Sequence, residues 1–191
     1  MNLYPHLARS AEEAARIART IKPEQLTAPT PCAEFDARTL INHWVLYTSH
    51  GLEHRALRTT LPEELTEHDF TADPAWAEAY AAQLDRALAA WARPEAWEGG
   101  IDMGGAEMPA ADIAAMLLLE MVLHGWDVAK AVGQEFRTDE ETSAVVLAAV
   151  AAQAEMFRQY KGFAEPVEIA ATATDFERAL ALSGRDPDWS A

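Results

Sequence analysis

Glu120 and His124 stand four residues apart inside Asp112–Val132, DIAAMLLLEMVLHGWDVAKAV, a stretch otherwise almost wholly apolar. On an α-helix, residues at that spacing stack one turn apart on one face, so the carboxylate and the imidazole can reach the same point. Leu117, Leu118, Leu119, Met121, Val122 and Leu123 would cover every side of such a helix, which predicts that it is buried. A buried carboxylate must be paired, protonated or bound to a cation, and a divalent metal would satisfy it together with the imidazole. Two ligands hold a metal weakly. The third is expected from DARTLINHWVLYTSHGLEHRAL, where His43 sits among Leu40, Trp44, Leu46 and Tyr47. Two imidazoles and one carboxylate leave an open coordination position, the pattern of catalytic rather than structural zinc. Zinc is favoured, and nickel, iron and manganese accept the same donors. Two alternatives stay open on the residues alone. Each histidine can be a hydrogen-bonded core residue, with Glu120 paired to His124 or to an arginine. His50 and His54, also four apart and on the stripe of His43, form a competing pair, although Glu53, Arg55 and Arg58 make that end polar and suggest a pocket rim.

Other residues carry weaker signals. Asp127, three residues after His124, can orient that ligand from behind or form a salt bridge to Lys130 or an arginine. Trp44 and Trp126 each adjoin a proposed ligand in sequence and are expected in the core. Cys32 lies in a Pro-flanked loop where Glu34 and Asp36 oppose a thiolate, so no nucleophilic role is assigned to it. EGGIDMGG lacks the Lys-Ser/Thr ending of a phosphate loop, and no Ser–His–Asp set stands out. No catalytic residue beyond the ligands is named.

The elements that must position these groups read as five helices. The first spans about Tyr4–Ile21. The second opens at Asp36 as N-cap, with Phe35 able to staple onto Leu40, and runs to about Thr59. The third covers about Asp73–Ala92. Two Gly pairs around Ile101–Met103 suggest a small hairpin or irregular loop. Pro109 suits the first position of the fourth helix and Gly133 the residue just past its end. Thr138 and Glu141 form a capping box for the fifth, which reaches about Tyr160, and a short helix fits Asp175–Leu182. Short loops between amphipathic helices, with neither repeats nor a dividing linker, predict one domain over residues 1–191. Its expected fold is all-α, an up-and-down four-helix bundle built by the first four helices, with an additional C-terminal helix and a minor hairpin.

Composition removes several functions. The chain has 191 residues and a net charge of −16, with Lys and Arg outnumbered 15 to 31 by Asp and Glu. Neither nucleic-acid backbone binding nor adsorption to an anionic membrane suits that balance. No apolar run reaches bilayer length, because Asp112, Glu120 and Asp127 break the longest one. The N-terminus lacks a signal-peptide layout and Cys32 is the lone cysteine, so a reducing, cytoplasmic setting is expected.

PTPCAEFDARTLINHW, EMPAADIAAMLLLEMVLHGWDVAKAVG and the ending GRDPDW resemble the DinB-like superfamily. Within it they are similar to the branch holding the N-terminal domain of mycothiol-dependent maleylpyruvate isomerase, and closest to an actinobacterial set of single-domain proteins with a metal-site pattern. The resemblance implies a bundle with a metal held by one His of the second helix and by a Glu and a His four apart on a later helix, here His43, Glu120 and His124. It also implies a low-molecular-weight thiol, mycothiol or a relative, acting with a small-molecule substrate in a transferase or isomerase. That isomerase carries a further C-terminal α/β domain for which this chain leaves no room, so maleylpyruvate isomerisation itself is not expected. The competing readings are a metal-dependent hydrolase, with Asp127 or His50 as base, and a non-enzymatic metal-binding or ligand-sensing module. The oligomeric state is not fixed by the sequence, and a homodimer is compatible with it.

Overall fold

A computed structural model describes residues 2–32 and 34–190; Met1, Ala191 and Ala33, the last inside the PTPCAEF stretch, lie outside the described residues. Helix α1, Tyr4–Ala18, takes Pro5 in its first turn, where a missing N–H costs nothing, and buries Leu7, Ala11, Ala14 and Ile17 along one stripe. Asp36 caps α2, Ala37–Val45, by accepting from the Thr39 N–H at 2.8 Å. The helix continues without a break through a π-helical segment, Leu46–Gly51, into α3, Leu52–Leu57. After the single-turn α4, Glu63–Thr66, come α5, Trp76–Trp91, and an antiparallel hairpin of β1, Gly100–Asp102, and β2, Glu107–Pro109, with Ile101 opposite Met108. Helix α6, Ala110–Ala131, then α7, Glu140–Gln159, and α8, Asp175–Leu182, complete the chain.

The all-α bundle and its minor hairpin are as expected. Helix α1 lies against α5 and α6, α2 against α6, and α3 against α5, while α7 packs on α6 and α8 on α7. The core between them holds Leu7, Ile17, Leu40, Ile41, Trp44, Tyr80, Trp91, Leu118 and Met121, all fully buried. The large aromatics find partners for their polar ends. Trp44 donates to the Met121 carbonyl at 3.1 Å, Trp91 donates to the Leu52 carbonyl at 2.8 Å, and the Tyr80 hydroxyl meets Thr48 Oγ1 at 2.6 Å. The Trp44 bond ties α2 to α6, and the other two tie α5 to the helix that runs from α2 into α3. Among the described residues no helix is long and apolar enough to cross a membrane.

Local chemistry explains where the elements depart from expectation. The helix expected over Asp36–Thr59 is not uniform: within the π-helical segment Thr48 and Ser49 turn their hydroxyls back onto the carbonyls of Trp44 and Val45. Asp139, not Thr138, caps α7, since its carboxylate accepts from the Thr142 N–H at 2.7 Å. Helix α5 begins at Trp76, because Asp73 and Pro74 are taken up in a turn closed by the Ala75 N–H on Asp73 Oδ1. Pro109 ends β2 and precedes α6 instead of opening it. Gly133 stands where expected: at φ +68° it closes α6, with its own N–H on the Lys130 carbonyl and that of Gln134 on Ala129.

Candidate metal centre

His43 reaches inward from α2, and Glu120 and His124 from one face of α6. His43 Nε2 lies 3.2 Å from Glu120 Oε2, and His124 Nε2 lies 3.6 Å from the same oxygen. One ligand atom from each of the three residues falls within 4.8 Å of the others. The three therefore converge, as the sequence predicts. A tetrahedral zinc with bonds of about 2.0–2.2 Å separates its donor atoms by roughly 3.3–3.6 Å, close to the two spacings found.

Burial differs from expectation. Helix α6 is sheathed in apolar residues, but the Glu120 side chain keeps 30% of its surface exposed, because its carboxylate opens onto a cavity. Its remaining burial pushes the carboxyl up, yet the hydrogen bond with His43 and the positive fields of His124, His43 and Arg185 outweigh this, so it stays below the usual carboxylate range.

Behind His124 lies an arrangement that the sequence reading only half anticipated. His124 Nδ1 is 3.0 Å from Asp127 Oδ2. Asp127 in turn accepts a two-pronged hydrogen bond from Arg185, Nε at 3.0 Å and Nη2 at 2.8 Å, and Arg185 Nη1 also donates to Ser183 Oγ. The orienting role and the salt bridge expected as alternatives for Asp127 thus coexist, with Arg185 as the cation. Lys130 instead stands over the Trp126 ring, 5.4 Å from its centroid. Both partners are almost enclosed, Asp127 at 1% and Arg185 at 10% side-chain exposure. Burial raises the Asp127 carboxyl, and Arg185 together with His124 more than reverses that. Burial likewise pulls the Arg185 guanidinium down, and Asp127 restores it. An ionised Asp127 accepts a proton-bearing nitrogen, so Nδ1 of His124 carries a hydrogen and Nε2 is the atom presented to Glu120. Two imidazole nitrogens and a carboxylate oxygen gathered within 4.8 Å of one another are donors that a divalent metal accepts together, and the residues fit one on that ground. Arg185 escaped sequence reasoning, the one signal being its place in the GRDPDW ending.

His43 is held differently. Its ring sits 4.6 Å from Tyr47, 5.8 Å from Phe35 and 5.1 Å from His124, centroid to centroid. His50 and His54 do not join the three. His54 pairs with Thr59 Oγ1 at 2.7 Å and lines the cavity rim. His50 is turned to another side of the helix, where it stacks on Phe70 at 5.4 Å. The extra residue of the π-helical segment explains the separation: His43, Tyr47, Gly51 and His54 share the cavity, and His50 falls off their stripe. Trp44 and Trp126 are buried in the core, as expected. Burial, and after it Asp127, pushes the Cys32 thiol above its ordinary value.

Two cavities meet at this point. One of about 210 Å³ includes His43 and Glu120 and is otherwise mainly apolar. A second of about 230 Å³ is lined by His43, Glu120 and His124 and draws Phe157, Lys161, Phe163 and Arg185 from the C-terminal part of the chain.

An all-α bundle that gathers two imidazoles and a carboxylate from facing helices defines the class. Within it, residues 7–129 match the family described as the mycothiol maleylpyruvate isomerase N-terminal domain, and the chain belongs to that family. No curated protein and no solved structure matches it. The matched span includes His43, Glu120, His124 and Asp127, whereas Arg185, α7 and α8 lie beyond it.

Proposed function

We propose that His43, Glu120 and His124 are the ligands of one divalent metal, with zinc the best match to the donor set. We further propose that the protein is a transferase or isomerase that uses a low-molecular-weight thiol of the mycothiol type on a small-molecule substrate. The reading is supported by one observation above the rest: three donor atoms of the right kinds converge where two cavities meet. A divalent cation there would let a thiol lose its proton near neutral pH. The chain's own residues supply the rest. Glu120 contributes negative charge that balances part of the cation. Asp127 and Arg185 keep His124 in one tautomer and one orientation. Phe157 and Phe163 limit water on the side of the second cavity, where Lys161 offers a charge to the polar parts of a thiol. A single domain in a reducing, cytoplasmic setting suits the contiguous core from Leu3 to Leu180, the lone Cys32 and a free thiol as co-substrate.

The test begins with untagged protein, whose metal is identified by elemental analysis and anomalous scattering. Cysteine, glutathione, bacillithiol and mycothiol are then assayed against a reactive electrophile with metal-loaded and chelated protein. Thiol consumption that depends on the metal is the expected result. Absence of turnover above the chelated control, with no thiol perturbing the spectrum of the cobalt-substituted protein, would sink the thiol assignment.

A further inference from the structure

The two cavities that meet at the triad are chemically unlike. The second has Lys161, Arg185 and Glu34 among its walls. The first is walled by Ile113, Met116 and Leu117 of α6, by Leu61, and by Met103 after β1. Arg55 is the one full cation in that lining, and its Nη1 already donates to the Asp102 carbonyl at 3.1 Å. Glu120 belongs to the triad, where its charge is opposed by the groups around it. A small dianion entering here would shed water against methyl and thioether groups, and no uncommitted lysine or arginine stands in the lining to receive its second carboxylate.

We propose that this first cavity binds an uncharged, ring-sized organic molecule, an aryl or short alkyl compound, and that it rejects short dicarboxylates. Size and shape support the assignment. A dry apolar cavity of about 150 Å³ is enough for benzene, so 210 Å³ admits a substituted or fused ring. Met103 and Met116 are flexible and polarisable, which lets the wall settle around a planar ligand. Gly51 keeps one side open: a Cβ there would meet nothing nearer than the Leu46 carbonyl at 3.5 Å, so a side chain fits the backbone and would intrude on the space. The division of labour follows, with the polar thiol on the Lys161 side and its apolar partner on the Met116 side. The inference rests on the proposed metal centre only in treating this ligand as a reactant; its occupancy does not need the metal.

The experiment is a titration of methyl-¹³C-methionine protein followed by NMR, run metal-free and zinc-loaded, with indole, p-cresol and maleate as probes. Met103→Leu and Met116→Leu assign the two reporter signals. Indole and p-cresol are expected to shift both signals saturably, and maleate to bind at least about tenfold more weakly. Gly51→Leu narrows the cavity and Leu61→Lys charges its wall; each should weaken indole by about tenfold or more. Leu61 is only partly buried, so the second variant stays informative if the first fails to fold. Maleate binding as tightly as indole, no shift at either methionine, or indole binding unchanged in both variants would overturn the proposal. Elemental analysis of the same samples separates the two readings: indole binding without retained zinc removes the metal centre alone, and zinc binding without indole removes this cavity's ligand alone.

Discussion

The two imidazoles of the triad are held in opposite ways. His124 is clasped by polar groups: its Nδ1 rests on Asp127, which is fixed by Arg185, and only 15% of the side chain is exposed. His43 has ring contacts with Tyr47 and Phe35 and is 29% exposed. The helix that carries it is pinned near the surface by Asp69, which accepts hydrogen bonds from Arg38, Asn42 and Thr71. Directional hydrogen bonds in a low-dielectric site fix a tautomer and an angle, whereas ring packing leaves a few degrees of freedom. One side of the centre is thus preset, and the other can adjust as a ligand enters.

Removing the preset ligand has the largest expected effect. His124→Ala is expected to abolish tight metal binding, a loss beyond the roughly 10–100-fold typical of an outer partner, while circular dichroism still reports a helical protein. A purified variant that retains a full equivalent of zinc would refute the assignment. Next in size is Arg185→Met, which strands Asp127 as a buried charge and should destabilise the fold by about 3–5 kcal/mol in urea unfolding. A change below about 1 kcal/mol would mean that the pair is solvated in solution. Asp127→Asn strands Arg185 in turn, so a stability loss of the same order is expected; the folded variant also loses the fixed orientation of His124, with metal affinity falling roughly 10–100-fold in a competitive chelator titration. Tyr47→Ala, the equivalent change on the adjustable side, should cost metal affinity no more than about tenfold, since one ring contact is worth about 0.5–1.5 kcal/mol. A larger effect than that of Asp127→Asn would invert the comparison.

The smallest effect is one of pH. The hydrogen bonds from Thr71 and Asn42, with the Arg38 guanidinium beside them, hold the Asp69 carboxyl at about 2, against 3.8 when unperturbed. A carboxyl depressed by folding binds fewer protons in the native than in the unfolded state. Its stabilisation is therefore complete above 3.8 and is lost as the pH falls toward about 2. Asp69→Asn should flatten the stability profile in that window alone, and molar salt should shrink the difference because the side chain is 43% exposed. An acid limb unchanged by the substitution would show that Asp69 does not pin α2.

Much of this was legible in the residues. Glu120 and His124 advertise themselves because two polar groups at helical spacing interrupt an apolar run, and His43 because it lies in the apolar part of its helix. Asp36 and Gly133 act as their backbone chemistry dictates. What stayed hidden depends on distance or on competition. Arg185 meets Asp127 across 58 positions, and no periodicity encodes that pairing. Thr138 and Asp139 are adjacent and equally able to cap; a carboxylate prevailed over a hydroxyl, and Arg9 reinforces it at 3.0 Å. The openness of Glu120 escaped because it depends on how α2, α3 and the hairpin leave space around α6, not on α6 itself. The π-helical segment escaped because Leu-Tyr-Thr-Ser-His-Gly has no proline, and an isolated glycine is tolerated inside an ordinary α-helix.

Because Leu46–Gly51 houses a surplus residue within a continuous helix, loss of one codon here is expected to leave the flanking helices in phase with each other. The segment relaxes to ordinary α-helix, α2 keeps His43 at the triad, and α3 keeps His54 at the cavity rim. The same loss inside α2 would rotate everything beyond it by about 100° and carry the cavity wall out of register. The helix is therefore forgiving of length variation at one place along its span, immediately beside the ligand it has to present.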